Sequence, residues 1–167
     1  EVHQALNSIG ALDGYPTVLL LCTSQYPTPA EDVNLRKLKT LSEAFPKLIL
    51  GLSDHSIGAT ASSVAVAFGA VVFEKHFTLD KNHSNFRDHQ LSATPKEFKQ
   101  MAESIREISL MLGSGEKVPQ KNESLAIDVL RRSAAAARDL PAGTVLSRKD
   151  LIWIRPGTGI AMGQEDC

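Results

Sequence analysis

Three short polar clusters stand out in the chain: Thr23-Ser24-Gln25-Tyr26, Ser53-Asp54-His55-Ser56 and Glu74-Lys75-His76. Each lies at the end of an apolar run. Two imidazoles flanked by Asp54 and Glu74 are residue types that bind a divalent ion and polarise a substrate oxygen. Taken singly, His55 or His76 reads more simply as a hydrogen-bonded structural histidine; on adjacent strand ends the two could share one ion. The hydroxyls of Ser24 and Ser53 suit a phosphate or a carboxylate, and equally suit capping the turns that follow. Lys75 reads either as half of a structural ion pair or as a substrate contact. His83 and His89 fall in a polar loop and read as solvated, and His3 lies near the start.

These clusters need elements to position them. Tyr15–Cys22, Leu48–Leu52 and Ala70–Phe77 are strand-length runs without polar alternation, as in parallel strands buried on both faces. Helical patterns separate them. Thr28-Pro29-Ala30-Glu31 predicts a capping box opening a helix with Val33, Leu38, Leu41 and Phe45 inward. A third helix is expected from about Ala59 to Phe68. Thr94-Pro95-Lys96-Glu97 repeats the capping grammar, and Phe98, Met101, Ile105, Ile108 and Leu112 follow at helical spacing until Gly113. Three consecutive βα units result, and parallel strands deliver their C-terminal ends to one rim, where active sites form. Neighbouring strands lie about 4.8 Å apart, which lets His55 and His76 meet there.

Three parallel strands cannot close on themselves, whereas a (β/α)8 barrel takes about 250 residues. The chain therefore reads as a piece of a larger barrel. The predicted organisation is α/β: a partial barrel over 1–113, a polar linker over 114–124, and a small β-rich module over 125–167. Short strands around Arg132–Ala137 and Leu151–Arg155, a turn at Leu140-Pro141-Ala142-Gly143 and a capped helical turn at Ser147-Arg148-Lys149-Asp150 make up that module. Pro156–Gly159 reads as a turn.

Composition closes off other classes. Among 167 residues, Lys and Arg number 18 against 19 Asp and Glu, so no basic field exists to hold nucleic acid. No apolar run approaches the roughly 20 residues of a membrane span. Cys22 in a strand and Cys167 at the last position make no disulfide framework, and a reducing cytoplasm is the expected compartment.

Five segments carry a resemblance. Cys22-Thr23-Ser24-Gln25-Tyr26-Pro27-Thr28-Pro29, Glu31–Arg36, Gly51-Leu52-Ser53-Asp54-His55 and Glu74–Asp80 resemble the sialic acid synthase family. Arg155-Pro156-Gly157-Thr158-Gly159-Ile160 is similar to the signature of that family's C-terminal antifreeze-like (SAF) domain. The resemblance implies the last three βα units of a TIM barrel followed by a truncated SAF module. It implies condensation of phosphoenolpyruvate with an N-acetylmannosamine-type sugar, giving a nonulosonic acid and phosphate.

By matching positions, His55 and His76 are implied to be ligands of Mn2+ or Mg2+. Ser24 and Ser53 are implied to bind phosphoenolpyruvate, and Tyr26 and Asp88 to meet the 2-acetamido sugar. Glu74 is implied to be a catalytic carboxylate near the metal, and Arg155 an arginine offered to the partner's barrel in a domain-swapped homodimer. The family's first five βα units are absent, so the isolated chain is expected to be inactive. Its loop Asn82–His89 reads Asn-His-Ser-Asn-Phe-Arg-Asp-His where many members carry a Gly-Pro-Asp-His-like run. The competing reading is a non-catalytic sugar-binding or oligomerisation module derived from such a synthase. Another phosphoenolpyruvate-condensing barrel, such as an aldoheptulosonate synthase, is disfavoured by the SAF signature.

Overall fold

A computed structural model of the chain describes residues 1–124 and 126–164. The chain divides into two compact units, Glu1–Gly115 and Glu116–Cys167. Cys167, expected to make no disulfide framework with Cys22, lies outside the described residues.

The first unit begins with α1 (Val2–Ser8) and a 3-10 turn at Ala11–Asp13. Then come β1 (Val18–Cys22), α2 (Ala30–Val33), α3 (Arg36–Ala44), β2 (Ile49–Asp54), α4 (Thr60–Ala67), β3 (Val72–Lys75), α5 (Arg87–Leu91) and α6 (Pro95–Leu112). The strands form one parallel sheet in the order β1-β2-β3, with Leu20 opposite Gly51 and Gly51 opposite Val72. Three βα units are therefore present in the predicted order; β1 and β3 are shorter than the apolar runs that announced them, and β2 runs two residues past the end of its own.

Side chains alternate across a strand, so one face of β2 carries Leu50, Leu52 and Asp54 and the other Gly51 and Ser53. The first face is the core. Leu21, Leu50 and Leu52 pack with Leu38 of α3 and with Ala61 and Ala65 of α4, and Leu19, Leu41, Phe68 and Phe73 complete the layer. A leucine buried this way contributes about 1.5–3 kcal/mol. Small residues on α4 allow it to lie close to the sheet, and Ser62 and Ala65 have no exposed surface.

Within this unit the opposite face is uncovered. Val18 is 42% exposed, Ile49 51% and Val72 37%. Continuous apolarity signals burial on both faces only when something covers both, and within this unit helices cover one. Position 51 on the uncovered face takes glycine because a Cβ there would strike the Val72 carbonyl oxygen.

The helix predicted to open at Thr28 is also different. Asn34 adopts a left-handed conformation (φ 47°) and splits it into α2 and α3. Thr28 makes no cap bond; its hydroxyl donates to the Gln25 carbonyl at 2.9 Å, inside the preceding turn. At α6 the capping box forms as predicted. Glu97 N–H donates to the Thr94 hydroxyl at 3.4 Å, and the Glu97 carboxylate accepts from Thr94 N–H at 2.8 Å. No helix among the described residues is long and apolar enough to cross a membrane.

The second unit holds α7 (Ile127–Leu130), β4 (Ser133–Ala136), a 3-10 turn at Arg148–Asp150 and β5 (Leu151–Ile154). β4 and β5 pair antiparallel. The Ser147 box forms, and Asp150 also accepts from Arg138 Nε at 3.0 Å. The Ser147 hydroxyl first, and then Arg138, hold the Asp150 carboxyl below its ordinary value. Gly157 is required where it stands, since a Cβ would lie 2.7 Å from that of Arg131.

Candidate active site

The open face of the sheet ends in the candidate residues. Register sets Cys22 beside Ser53 and Ser53 beside Glu74, and the next residues on that side are His55 and His76. The two imidazoles meet edge to face with ring centroids 5.2 Å apart. Tyr26 stacks on His55 at 4.2 Å and meets His76 edge-on at 5.6 Å. It is brought there by the turn after β1, where Thr28 N–H donates to the His55 carbonyl at 3.0 Å.

His55 is buried, and its Nδ1 lies 2.8 Å from the Thr23 carbonyl oxygen, with Cys22 Sγ at 3.8 Å. A carbonyl only accepts, so Nδ1 carries the proton and Nε2 keeps its lone pair. A metal-binding histidine is commonly oriented this way, by a backbone carbonyl on its other nitrogen. His76 Nδ1 stands 3.9 Å from Asp88 Oδ2, beyond hydrogen-bond reach. Ser53 donates a short hydrogen bond to the Glu74 carboxylate. Ser24 follows the same strand end and is exposed.

Asp54 and Lys75 turn the other way. Lys75 Nζ lies 3.0 Å from Asp54 Oδ2 and donates to the Ser56 carbonyl at 2.7 Å, with both side chains almost wholly buried. Asp54 also accepts from the Ser56 and Ser62 hydroxyls at 2.6 and 2.8 Å. Burial pushes the Asp54 carboxyl up, but the Ser56 hydrogen bond and the Lys75 charge outweigh it and hold it below its ordinary value. Of the two readings of Lys75, the ion pair is the one formed. Asp54, expected to flank a metal, is spent on the helix side of the sheet.

The loop after β3 folds back over the site. Ala93 N–H donates to the His76 carbonyl at 2.7 Å and Thr78 N–H donates to the Ala93 carbonyl at 3.0 Å, closing the intervening segment. Inside it, Thr78 Oγ lies 2.9 Å from His89 Nδ1, and His83 faces His89 at 5.1 Å between centroids. His89 thus has a defined partner where sequence suggested solvent. The return also carries Arg87, whose guanidinium carbon lies 5.2 Å from the centre of the Tyr26 ring. Sequence reasoning passed over Arg87; its one available signal was a cation beside Asp88 in a loop that departs from the usual pattern.

His55, His76, Tyr26, Ser53, Glu74 and Asp88 therefore share one neighbourhood in the first unit. Arg155 belongs to the second unit, where its Nε donates to the Leu130 carbonyl at 2.8 Å. Among the described residues no group of three or more His, Cys, Asp or Glu could hold a metal ion. Two imidazoles fit an ion that keeps oxygen ligands from water and substrate. Imidazole donors suit Mn2+ better than Mg2+, which prefers oxygen.

A parallel α/β unit with polar residues gathered at its strand ends is followed in the chain by a small unit built on an antiparallel strand pair. The chain belongs to the NeuB family, whose model matches residues 1–117, and the SAF domain model matches residues 131–165. It is 48% identical over 166 residues to N,N'-diacetyllegionaminic acid synthase of Legionella pneumophila, covering 96% of this chain and 46% of that protein. It is 37% identical over 147 residues to human N-acetylneuraminate-9-phosphate synthase, covering 88% and 40%. Among solved structures, the N-acetylneuraminic acid synthetase of Leptospira borgpetersenii superposes with a TM-score of 0.66 at 35% identity, over 74% of this chain and 43% of that one. The chain spans about half the length of the curated relatives it matches.

Proposed function

We propose that this chain is the C-terminal part of a nonulosonic acid synthase, carrying the last three βα units of a TIM barrel and a SAF module. The reaction condenses phosphoenolpyruvate with a 2-acetamido sugar of the N-acetylmannosamine type. C3 of phosphoenolpyruvate bonds to the sugar's aldehyde carbon, water adds at C2, the bond from C2 to the phosphate oxygen breaks, and inorganic phosphate leaves. The observation that carries this reading is the His55–His76 pair beneath Tyr26, beside Ser53 and Glu74, in a NeuB-family chain.

Each side chain then has a task. His55 and His76 would hold a divalent ion through imidazole nitrogens; when bound, the ion supplies Lewis-acid polarisation of the aldehyde oxygen. Ser24 and Ser53 donate hydrogen bonds to oxygens of phosphoenolpyruvate. Glu74 accepts the proton of the water that attacks C2, its carboxylate freed when the Ser53 hydroxyl turns from it to phosphoenolpyruvate. Tyr26 covers His55 and, with Asp88, meets hydroxyls of the sugar. Holding both substrates on one rim replaces an encounter in solution with a positioned reaction.

The test uses the synthase that contains this sequence. Incubated with Mn2+, phosphoenolpyruvate and N-acetylmannosamine or a related 2-acetamido sugar, it should release phosphate and nonulosonic acid in equal amounts. His55→Ala and His76→Ala should each abolish both. Binding of the sugar with no phosphate release under any of these conditions would favour the non-catalytic sugar-binding reading.

A further inference from the structure

Arg87 has no role in the reaction just described, yet it lies among the residues assigned to the sugar. It follows Phe86 in the loop that returns over the site, and Asp88, its neighbour, faces His76 at 3.9 Å. Its guanidinium stands over Tyr26, the ring that stacks on His55. A guanidinium held against an aromatic face keeps its N–H donors in a planar fork at its edge, the geometry that matches phosphate and carboxylate oxygens two at a time. The aromatic contact also limits the rotamer freedom that an exposed arginine would lose on binding. The side chain is exposed, and no ion pair among the described residues engages Arg87. A fixed positive charge thus stands one aromatic ring away from the imidazoles.

The position of that charge relative to the chemistry selects a ligand. In the synthase reading the sugar's aldehyde end lies at the imidazole pair, where a bound ion would polarise its oxygen. A six-carbon acceptor extending from there past Tyr26 would present its far end to Arg87, which stands on the Tyr26 ring that stacks on His55. An uncharged hydroxymethyl or methyl group at that end makes poor use of a guanidinium, whereas an anion pairs with it.

We propose that Arg87 is an acceptor-specificity residue that selects a 2-acetamido sugar bearing an anionic group, a phosphate ester or a carboxylate, at the end remote from its aldehyde. The proposal rests on the synthase reading above and names the class of acceptor that this site takes. The phosphoenolpyruvate anion is assigned to the Ser24 and Ser53 side of the rim, so the Arg87 charge serves the second substrate.

The experiment measures kcat and KM of the full synthase for four acceptors. Two are neutral, N-acetylmannosamine and its 2,4-diacetamido-6-deoxy analogue. Two are anionic, N-acetylmannosamine 6-phosphate and N-acetylmannosaminuronate. The expected result is a kcat/KM at least tenfold higher for an anionic acceptor, carried by KM, and declining as ionic strength rises. Preference for the 6-phosphate alone assigns a phosphate ester, preference for the uronate alone a carboxylate, and preference for both assigns charge recognition.

Arg87→Ala should lower kcat/KM for the preferred anionic acceptor at least ten times more than for either neutral one, and Arg87→Lys should recover part of the difference. A wild-type preference for a neutral acceptor overturns the proposal. So does an Arg87→Ala effect equal on all four, which is what a merely structural role would give. Absence of product from all four in the wild type overturns the synthase reading itself.

Discussion

The ammonium of Lys75 reaches the carboxylate of Asp54 at 3.0 Å on the side of the sheet opposite to His55 and His76. Each partner immediately precedes one of the two histidines. The same ammonium donates to the carbonyls of Asp54 and Ser56, which flank His55 in the chain. One buried charge therefore cross-links the ends of β2 and β3 where the imidazoles are presented.

Removing one partner leaves the other charge buried and unpaired. Lys75→Met should destabilise the fold by about 3–5 kcal/mol, read from denaturant unfolding, while Asp54→Asn combined with Lys75→Met should cost much less than the single change. A Lys75→Met variant of unchanged stability would show that the pair contributes nothing.

The same pair predicts an acid limb. The Asp54 carboxyl lies below its ordinary value of 3.8 in the folded chain. A group lowered on folding contributes stability that is complete above the unfolded value and is lost as pH falls through the folded one. Melting temperature should therefore drop as pH falls below about 4, and Asp54→Asn should flatten that part of the profile.

At α6 the Glu97 carboxyl is held at about 2, first by its hydrogen bond from Lys81 and then by those from Thr94. Its contribution is complete above the ordinary value of 4.5 and fades between there and about 2. Thr94→Ala should cost about 1 kcal/mol at neutral pH, as loss of an N-cap does. Measured at pH 3, the cost should be smaller because Glu97 is partly protonated in the unfolded chain.

Divalent-ion binding should depend on both imidazoles. Mn2+ titrated into the full synthase and followed by electron paramagnetic resonance should bind at least tenfold more weakly to His55→Ala and to His76→Ala, whereas His83→Ala should bind normally. Equal affinity in wild type and His76→Ala would remove the histidine pair as the metal site.

Were the SAF module swapped between protomers of a homodimer, complementation would follow. If Arg155 serves the partner's rim, Arg155→Ala should raise the KM of the acceptor sugar more than that of phosphoenolpyruvate. Mixing Arg155→Ala with His55→Ala protomers should then produce activity with the wild-type acceptor KM, which neither variant shows alone, since one mixed dimer carries one intact site. No recovery after subunit exchange would assign Arg155 to its own protomer. The isolated 167-residue chain should release no sustained phosphate or nonulosonic acid, because half a site gives far less than half a rate.

What the amino-acid order settled by itself was local. The three apolar runs, the cap at Thr94, the turn at Ser147 and the placement of His55 and His76 at strand ends follow from residues within a few positions of one another, whose hydrogen bonds close without help from elsewhere. The Thr28 helix shows the limit, because its cap competes with a turn bond to Gln25, and Asn34 breaks the helix. Tertiary structure decided the rest. Lys75 became a structural cation because strand register brings it beside Asp54, on the face where helices exclude water and an unpaired charge is costly. Arg87 reached Tyr26 because Ala93 pairs with the chain around His76 and returns the loop over the rim. Contacts between residues tens of positions apart depend on register and on which face is covered, and neither is written in the local pattern of a single strand.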